Sequence, residues 1–282
     1  MGEDILSREG LVEDRTLDQT LRPRRFEDFV GQERVKENLC IYIEAARQRG
    51  EALDHILFSG PPGLGKTTLA CIIAHELGAT LRATSGPVIE KAGDLAGLLT
   101  KLEEGDVLFI DEIHRVSAKV EEYLYSAMED YVIDIVLDQG PSARSVRIPL
   151  PRFTLVGSTT REGLLTSPFR SRFGVVERLD FYPWRDLLRI AENSADALGI
   201  QLDREGGEVI ARRARGTPRL VNRYLRRLRD MAQVLGDGVI TPKVAQDGLD
   251  RLGVDTCGLG HMDRRILATV LRTGGAPVGL KT

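Results

Sequence analysis

Cysteine is scarce in this 282-residue sequence, which contains only 3. Cys40, Cys71 and Cys257 lie far apart and form no Cys-x-x-Cys pair. An odd number of isolated cysteines argues against a disulfide framework and against a cysteine-ligated zinc site. We therefore expect three reduced, buried thiols.

Long apolar runs and a strong excess of one charge are also missing. No run approaches the ~20 residues that span a bilayer, and the start, Met1 to Asp4, has neither the basic nor the apolar region of a secretion signal. The net charge is -3, from 39 basic and 42 acidic residues, so any contact with nucleic acid must come from a local basic patch. We expect a cytoplasmic protein with no membrane contact.

Short apolar runs alternate with helical patterns over the first part of the chain. Strands are predicted at residues 55–59, 79–84, 106–110, 153–158 and 175–181, and after Pro183 the pattern is helical only, at 184–198, 204–214, 218–235 and 242–252. This alternation is typical of an α/β fold with a parallel sheet covered by helices. We expect an α/β domain over residues 1–182, a small helical domain over 183–253 and the beginning of a third domain over 254–282.

The residues after the first predicted strand fit the phosphate-loop pattern G-x-x-x-x-G-K-[ST] in full. Gly60 and Gly65 allow successive backbone N–H groups to turn toward a polyphosphate, and the following helix adds its positive end. Lys66 is placed to reach the β/γ-phosphates of ATP, and Thr67 to bind Mg²⁺. A glycine-rich turn that only connects two elements is the alternative.

Two carboxylates, Asp111 and Glu112, follow the strand predicted at 106–110. The first is placed to order Mg²⁺ and the second to polarise an attacking water. Acidic residues after a strand can instead begin the next helix. Together with the phosphate loop, the pair favours ATP hydrolysis.

Four other positions are weaker candidates for contacts to the γ-phosphate. Thr159 and Thr160 follow the strand at 153–158, where a hydroxyl can also simply cap the strand end. Arg172 can act as an arginine finger in a neighbouring subunit's site, or form a surface salt bridge. Arg219 stands in the first turn of a helix, where a cation opposes the dipole and a fixed anionic partner is expected.

Two further patterns have competing interpretations. Residues 212–229 contain 8 arginines, which indicates either a nucleic-acid face or, more simply, a core-packed helix with one basic side. His114, beside the two carboxylates, has no partner at metal-ligand spacing, so we expect a packed or exposed histidine and not a ligand.

A β-hairpin is predicted over residues 132–150. Val146 and Ile148 alternate with polar residues opposite a β-branched run, and a Gly140-Pro141 turn lies between. An isolated hairpin is marginally stable, so its apolar side chains must be covered. They pack either on the domain's own core or on a partner.

Together these residues resemble AAA+ ATPases and, more narrowly, the RuvB family of bacterial Holliday-junction branch-migration motors. The loop, the carboxylate pair, Arg172 and Arg219 carry the broader resemblance. The narrower one is carried by residues 21–23 (LRP), 29–33 (FVGQE), 51–55 (EALDH), 140–145 (GPSARS) and 263–265 (DRR).

The resemblance implies a homohexamer around duplex DNA that uses ATP to pull the arms of a Holliday junction through a complex organised by RuvA, with a RuvC-like resolvase as an indirect partner. It implies that the hairpin docks on RuvA through Val146 and Ile148. It also implies a nucleotide site made of Leu21, Arg22, Gly63, Gly65, Lys66, Thr67, Thr68, Glu129, Asp130, Tyr131, Arg172, Tyr182 and Arg219.

RuvB-like chains continue into a winged-helix head that contacts DNA, whereas this sequence stops at Thr282, where that head begins. We therefore expect nucleotide binding to be retained and DNA binding to be weakened. One alternative is a clamp-loader-type ATPase, whose finger motif is Ser-Arg-Cys; here Phe173 follows Arg172. The other is a nucleotide-dependent interaction switch, which would not need Glu112.

Overall fold

The computed structural model describes residues 21–136, 145–272 and 274. The chain divides into two compact units, residues 23–180 and residues 181–282 together with 1–22. In chain order the first unit contains α1 (Glu33–Arg49), β1 (Ile56–Ser59), α2 (Lys66–Leu77), β2 (Leu81–Ser85), α3 (Ala92–Leu99), β3 (Val107–Asp111), α4 (Ala118–Glu129), β4 (Val132–Val136), β5 (Ser145–Pro149), β6 (Thr154–Thr159), α5 (Ser167–Arg170) and β7 (Val175–Arg178). The second contains α6 (Trp184–Leu198), β8 (Gln201–Leu202), α7 (Arg204–Arg213), α8 (Pro218–Leu235), β9 (Val239–Ile240), α9 (Pro242–Arg251) and α10 (His261–Arg272).

Five strands of the first unit form one parallel sheet in the order β2-β3-β6-β1-β7. The three inner strands are buried along almost their whole length, as expected when both faces of a parallel sheet are covered. The predicted α/β fold is therefore confirmed. The last strand ends at Arg178, earlier than the predicted residue 181, because the chain then passes close to the phosphate loop, where a Cβ on Gly60 would stand 2.4 Å from the Leu179 carbonyl oxygen.

The predicted hairpin is present as the antiparallel pair β4 and β5, with Ile133 opposite Ile148. Its connection, residues 137–144, lies outside the described residues, and so do Gly140 and Pro141. Ile133 is fully buried in the core that α3 and α4 share with the sheet. The base of the hairpin is therefore fixed to the ATPase-like unit.

The second unit is built from helices, as predicted, with β8 and β9 as a minimal parallel pair. α6 and α8 have the predicted bounds. The arginine-rich α8 buries a stripe at helical spacing, which confirms a core-packed helix with one basic side: Val221, Tyr224, Leu225, Leu228 and Ala232. Of the third predicted domain, α10 is described, whereas residues 275–282 lie outside the described residues.

The cysteines are free, but the prediction that they are buried is wrong. Cys40 and Cys257 are exposed and Cys71 is half-buried. Cys40 follows Leu39 on α1, whose core stripe recurs at Val35, Leu39 and Ile43, so the next residue points to solvent. Across the described ranges, no helix combines the length and the apolar character that crossing a membrane requires.

Candidate functional site

The predicted site residues of the first unit meet at one edge of the sheet. β1, β3 and β6 are parallel, so their carboxyl ends lie on the same side, and the register places Ser59 beside Thr159. β6 separates β1 from β3. In such sheets ligands bind outside the carboxyl ends of the strands. The phosphate loop, the two carboxylates and the two threonines are thus brought together.

Glycine is required at three positions of the phosphate loop. Gly60, Gly63 and Gly65 have φ values of 129°, 81° and 102°, which L side chains rarely adopt. At Gly60 an added Cβ would also collide with the Leu179 carbonyl oxygen. Since glycine has no side chain, the backbone N–H groups of the loop can approach a ligand closely.

The loop leads into the N-terminus of α2 without an acidic cap. Gly65 is the N-cap residue, no side-chain cap is seen among the described residues, and the first turn contains no carboxylate. The first N–H groups of a helix have no intrahelical partner and carry partial positive charge. Thr67 and Thr68 lie half-buried in this turn. The helix end is therefore suited to an anion.

Lys66 is buried, with 7% of its surface exposed. Its Nζ donates hydrogen bonds to the carbonyl oxygens of Gly60 and Pro61, at 2.7 and 2.8 Å. An ammonium group taken out of water needs such partners, and it attracts an anion strongly in this environment. Lys66 therefore lies across its own loop.

Asp111 is held at the end of β3 by a neighbour on β6. Its Oδ1 accepts a hydrogen bond from the Ser158 hydroxyl and another, at 3.0 Å, from the Glu112 backbone N–H. Ser158 is fully buried. These contacts fix the orientation of the carboxylate.

Glu112 adopts a left-handed backbone conformation, with φ 49° and ψ 45°. This conformation costs about 1 to 2 kcal/mol in a residue other than glycine. Its carbonyl packs on Gly86, where an added Cβ would come within 2.5 Å. Its Oε2 accepts a hydrogen bond from the Thr160 hydroxyl at 3.1 Å and lies 3.3 Å from Nε2 of His114.

Thr159 is fully buried, and its hydroxyl contacts protein groups. Oγ1 accepts a hydrogen bond from the Arg161 N–H at 3.0 Å and lies 2.9 Å from Nδ1 of His114. Thr160, and not Thr159, is the threonine that directly contacts Glu112. The two predicted threonines therefore have different surroundings.

Arg172 is enclosed by α4 and α5 residues. Its guanidinium lies 4.1 Å from the centre of the Tyr125 ring, and one NH group donates to the Pro168 carbonyl oxygen at 2.5 Å. Nε lies 3.2 Å from Glu129 Oε1 at an angle that makes no hydrogen bond, so this contact is ionic. Arg170 instead pairs with Glu162 at 3.6 Å. Arg172 is thus salt-bridged within its own unit, and Glu129 is joined to it.

Two segments of the chain match known protein-family models. Residues 21–179 match the family described as the Holliday junction DNA helicase RuvB P-loop domain, and residues 182–255 match the RuvB AAA lid domain. The chain belongs to the RuvB family. It is 60% identical over 280 residues to the Holliday junction branch migration complex subunit RuvB of Myxococcus xanthus, across 99% of this chain and 82% of that protein.

Solved structures of RuvB-family proteins are also similar to this chain. The RuvB Holliday junction branch migration motor of Thermotoga maritima is 48% identical, with a TM-score of 0.84 over 93% of this chain and 84% of that one. A single-residue variant of the same protein is 49% identical, with a TM-score of 0.85 over 93% and 83% of the two chains.

Asp130 and Tyr131 lie between α4 and the hairpin. Asp130 is exposed, whereas Tyr131 is half-buried and its ring packs edge-on against Phe153 at 6.0 Å. Tyr131 has a φ of 53°, and burial raises its pKa. Its carbonyl accepts a hydrogen bond from the Leu150 N–H at 2.7 Å, so the residue links α4 to the base of the hairpin. Contact of either residue with nucleotide stays a prediction for this RuvB-family chain.

Four predicted nucleotide contacts belong to the second unit. Leu21 and Arg22 are half-buried, and Tyr182 is buried, with its N–H bonded to the Gly216 carbonyl at 2.9 Å. Arg219 lies in the first turn of α8, directly after Pro218, as predicted. Their roles in a nucleotide site stay predictions.

The two hairpin residues of the RuvA prediction differ in burial. Val146 is 42% exposed. Ile148 packs partly against the core cluster that contains Ile133. Val146 is therefore the more accessible of the two docking candidates.

Three residues that contact the candidate site residues were not predicted from the sequence. Ser158 bonds Asp111, His114 joins Thr159 to Glu112, and Tyr125 carries Arg172 on its ring face. Each acts across two elements that are distant in sequence, so no local pattern marks it. The nearest signal was the position of His114 two residues after the carboxylate pair.

Proposed function

We propose that this chain is an ATP-hydrolysing motor subunit that promotes branch migration of Holliday junctions, acting on duplex DNA with a RuvA-like partner. The observation that carries the proposal is the meeting of a complete phosphate loop with Asp111 and Glu112 at one sheet edge in a RuvB-family chain. RuvC-like resolvases would be indirect partners.

The residues present fit a Mg²⁺-bound nucleoside triphosphate. The loop backbone is bare, the α2 N-terminus carries no acidic cap among the described residues, and Lys66 lies across the loop. Thr67 and Asp111 offer oxygen atoms, which Mg²⁺ prefers, and the described residues contain no group of three or more His, Cys, Asp or Glu that could bind a metal. Such a site leaves most ligand positions of Mg²⁺ to water and phosphate. When bound, Mg²⁺ neutralises charge on the phosphates.

In this proposal each residue of the site has a separate role. Lys66 and the loop N–H groups would bind the phosphates, and Asp111, oriented by Ser158, would help to hold Mg²⁺. Glu112 polarises the attacking water, and Thr160 restrains its carboxylate. For Leu21, Arg22, Tyr182 and Arg219, contact with the nucleotide stays a prediction from the family resemblance.

Arg172 is proposed to act on the nucleotide of a neighbouring subunit in a homohexamer. Tyr125 and Glu129 support this role because they hold the guanidinium in one orientation before any partner arrives. A preorganised cation is worth more to a transition state than one that must be ordered first.

The test is the ATPase rate of the full chain with and without four-way-junction DNA and RuvA. A motor should be stimulated by the two together, and linear duplex is the control for junction preference. A nucleotide-dependent switch would bind ATP with no stimulated turnover. A clamp-loader-type ATPase would respond to primed duplex and not to the junction with RuvA.

A further inference from the structure

His114 lies between two groups of the candidate site and is used by neither the family resemblance nor the proposed function. It belongs to the short 3-10 turn Ile113–Arg115, directly after the carboxylates, and its side chain is only 6% exposed. Nδ1 faces the Thr159 hydroxyl at 2.9 Å, and Nε2 faces Glu112 Oε2 at 3.3 Å. The ring therefore connects the end of β6 to the residue after β3.

The hydrogen-bond directions along this connection are mutually consistent. The Arg161 N–H can only donate, so Thr159 Oγ1 accepts there at 3.0 Å and its own proton is free to point at Nδ1 of His114. An accepting Nδ1 places the proton of the neutral ring on Nε2, on the side of the Glu112 carboxylate, where the 3.3 Å contact is electrostatic and not a hydrogen bond. The opposite neutral tautomer would set a nitrogen lone pair against a carboxylate oxygen, which is repulsive.

Both side-chain contacts of Glu112 reach the same oxygen. Thr160 and His114 each approach Oε2, while 31% of the Glu112 side chain is exposed. A partly exposed glutamate samples several rotamers unless contacts restrict it, and a displacement of ~1 Å at a reacting group can cost about 100-fold in rate. The Thr160 hydrogen bond and the electrostatic contact with His114 both restrain Oε2.

We propose that His114 is a positioning residue for ATP hydrolysis: its Nε2 restrains Glu112 Oε2 through an electrostatic contact at 3.3 Å, and its Nδ1 is anchored to Thr159 at the end of β6. The inference rests on the proposed function, in which Glu112 polarises the attacking water. His114 itself contacts neither water nor nucleotide in this role. Its removal should lower kcat and leave ATP binding in place.

A matched pair of substitutions separates the two sides of the ring. The amide nitrogen of glutamine can take the place of Nε2 and keep an N–H group beside Glu112, whereas the shorter asparagine reaches only the position of Nδ1. We expect His114→Asn to lower kcat about 10- to 100-fold, with KM for ATP within about 2-fold of the wild type. His114→Gln should retain most of the wild-type kcat, and both should keep the wild-type Tm.

A double-mutant cycle tests whether His114 acts through Glu112. In a Glu112→Gln background, adding His114→Asn should produce no further loss of kcat, because the group that the histidine positions is already gone. Full additivity of the two losses would overturn the inference, as would equal losses in the asparagine and glutamine variants.

The outcomes also distinguish this inference from the function on which it rests. A wild-type chain that binds ATP and does not hydrolyse it would overturn both. An active wild type together with an unimpaired His114→Asn variant would overturn the positioning role alone. A lowered Tm in both variants, with kcat falling in parallel, would show that the ring serves only packing.

Discussion

The hairpin formed by β4 and β5 gives the sharpest prediction, because its two candidate docking residues differ in burial. Val146→Ser and Ile148→Ser should separate partner binding from stability. Val146 is 42% exposed, whereas Ile148 packs partly on the core beside Ile133. Val176, which is 45% exposed on edge strand β7, provides a matched control outside the hairpin.

The expected losses of stability follow from the apolar surface that each change exposes. Full burial of a valine or isoleucine side chain contributes about 1.5 to 3 kcal/mol, so Val146→Ser and Val176→Ser should each cost no more than about 1 kcal/mol. Ile148→Ser should cost about 2 kcal/mol, because more of its side chain is covered and a polar group enters the core. At about 2 to 4 °C per kcal/mol, the Tm should fall by about 4 to 8 °C for Ile148→Ser and by half of that or less for the valine variants.

Affinity for RuvA should follow a different order. Loss of one apolar anchor at the centre of an interface costs about 2 kcal/mol, or about 30-fold in Kd. Val146→Ser should bind RuvA about 30-fold more weakly, and Val176→Ser should bind RuvA with the wild-type affinity. Titration of immobilised RuvA with each variant measures the Kd, and thermal unfolding measures the Tm. Equal RuvA affinity of the two valine variants would refute the docking role of the hairpin.

The remaining predictions concern the catalytic groups and one buried histidine. Lys66→Ala should abolish binding of a fluorescent ATP analogue, whereas Glu112→Gln should bind it normally and lose at least about 100-fold in kcat; normal turnover by the glutamine variant would contradict the water-polarising role. Arg172→Ala by itself should not hydrolyse ATP, because an arginine finger contributes about 10³- to 10⁵-fold to the hydrolysis rate. Mixing it with Lys66→Ala should restore part of the activity; no recovery in confirmed mixed rings would indicate action within one subunit. Burial lowers the pKa of His55, so below the unfolded value of about 6.5 the unfolded chain binds more protons, and the free energy of unfolding should fall from about pH 7.5 to 5.5. The urea midpoint of His55→Gln should lack this fall, and an identical pH dependence in both proteins would exclude the histidine as its source.

Features written in one continuous segment were predictable from the sequence. The phosphate-loop pattern occupies eight consecutive residues, Gly60 to Thr67. The helices of the second unit are predicted by the spacing of apolar residues between glycine and proline boundaries. Burial of single residues was less predictable. Cys40 is exposed although thiols favour the interior, since its place on α1 is set by the stripe that Leu39 already occupies.

The contacts that orient the site depend on which strands are neighbours, and no local pattern encodes this. β3 and β6 lie side by side although the hairpin separates them along the chain. In the sequence, two carboxylates lie at the end of one predicted strand and three hydroxyl residues lie at the end of another. It does not show which hydroxyl meets which carboxylate.

That adjacency has a functional consequence for the end of β6. Ser158 bonds Asp111, Thr160 bonds Glu112, and Thr159 reaches Glu112 through His114. Three consecutive residues of one strand end therefore orient both carboxylates that follow the neighbouring strand. A shift of β6 along its axis would therefore displace the contacts of Asp111 and Glu112 together. Because β1 is the other neighbour of β6 and leads directly into the phosphate loop, β6 lies between the strand that precedes the loop and the strand that precedes the carboxylates.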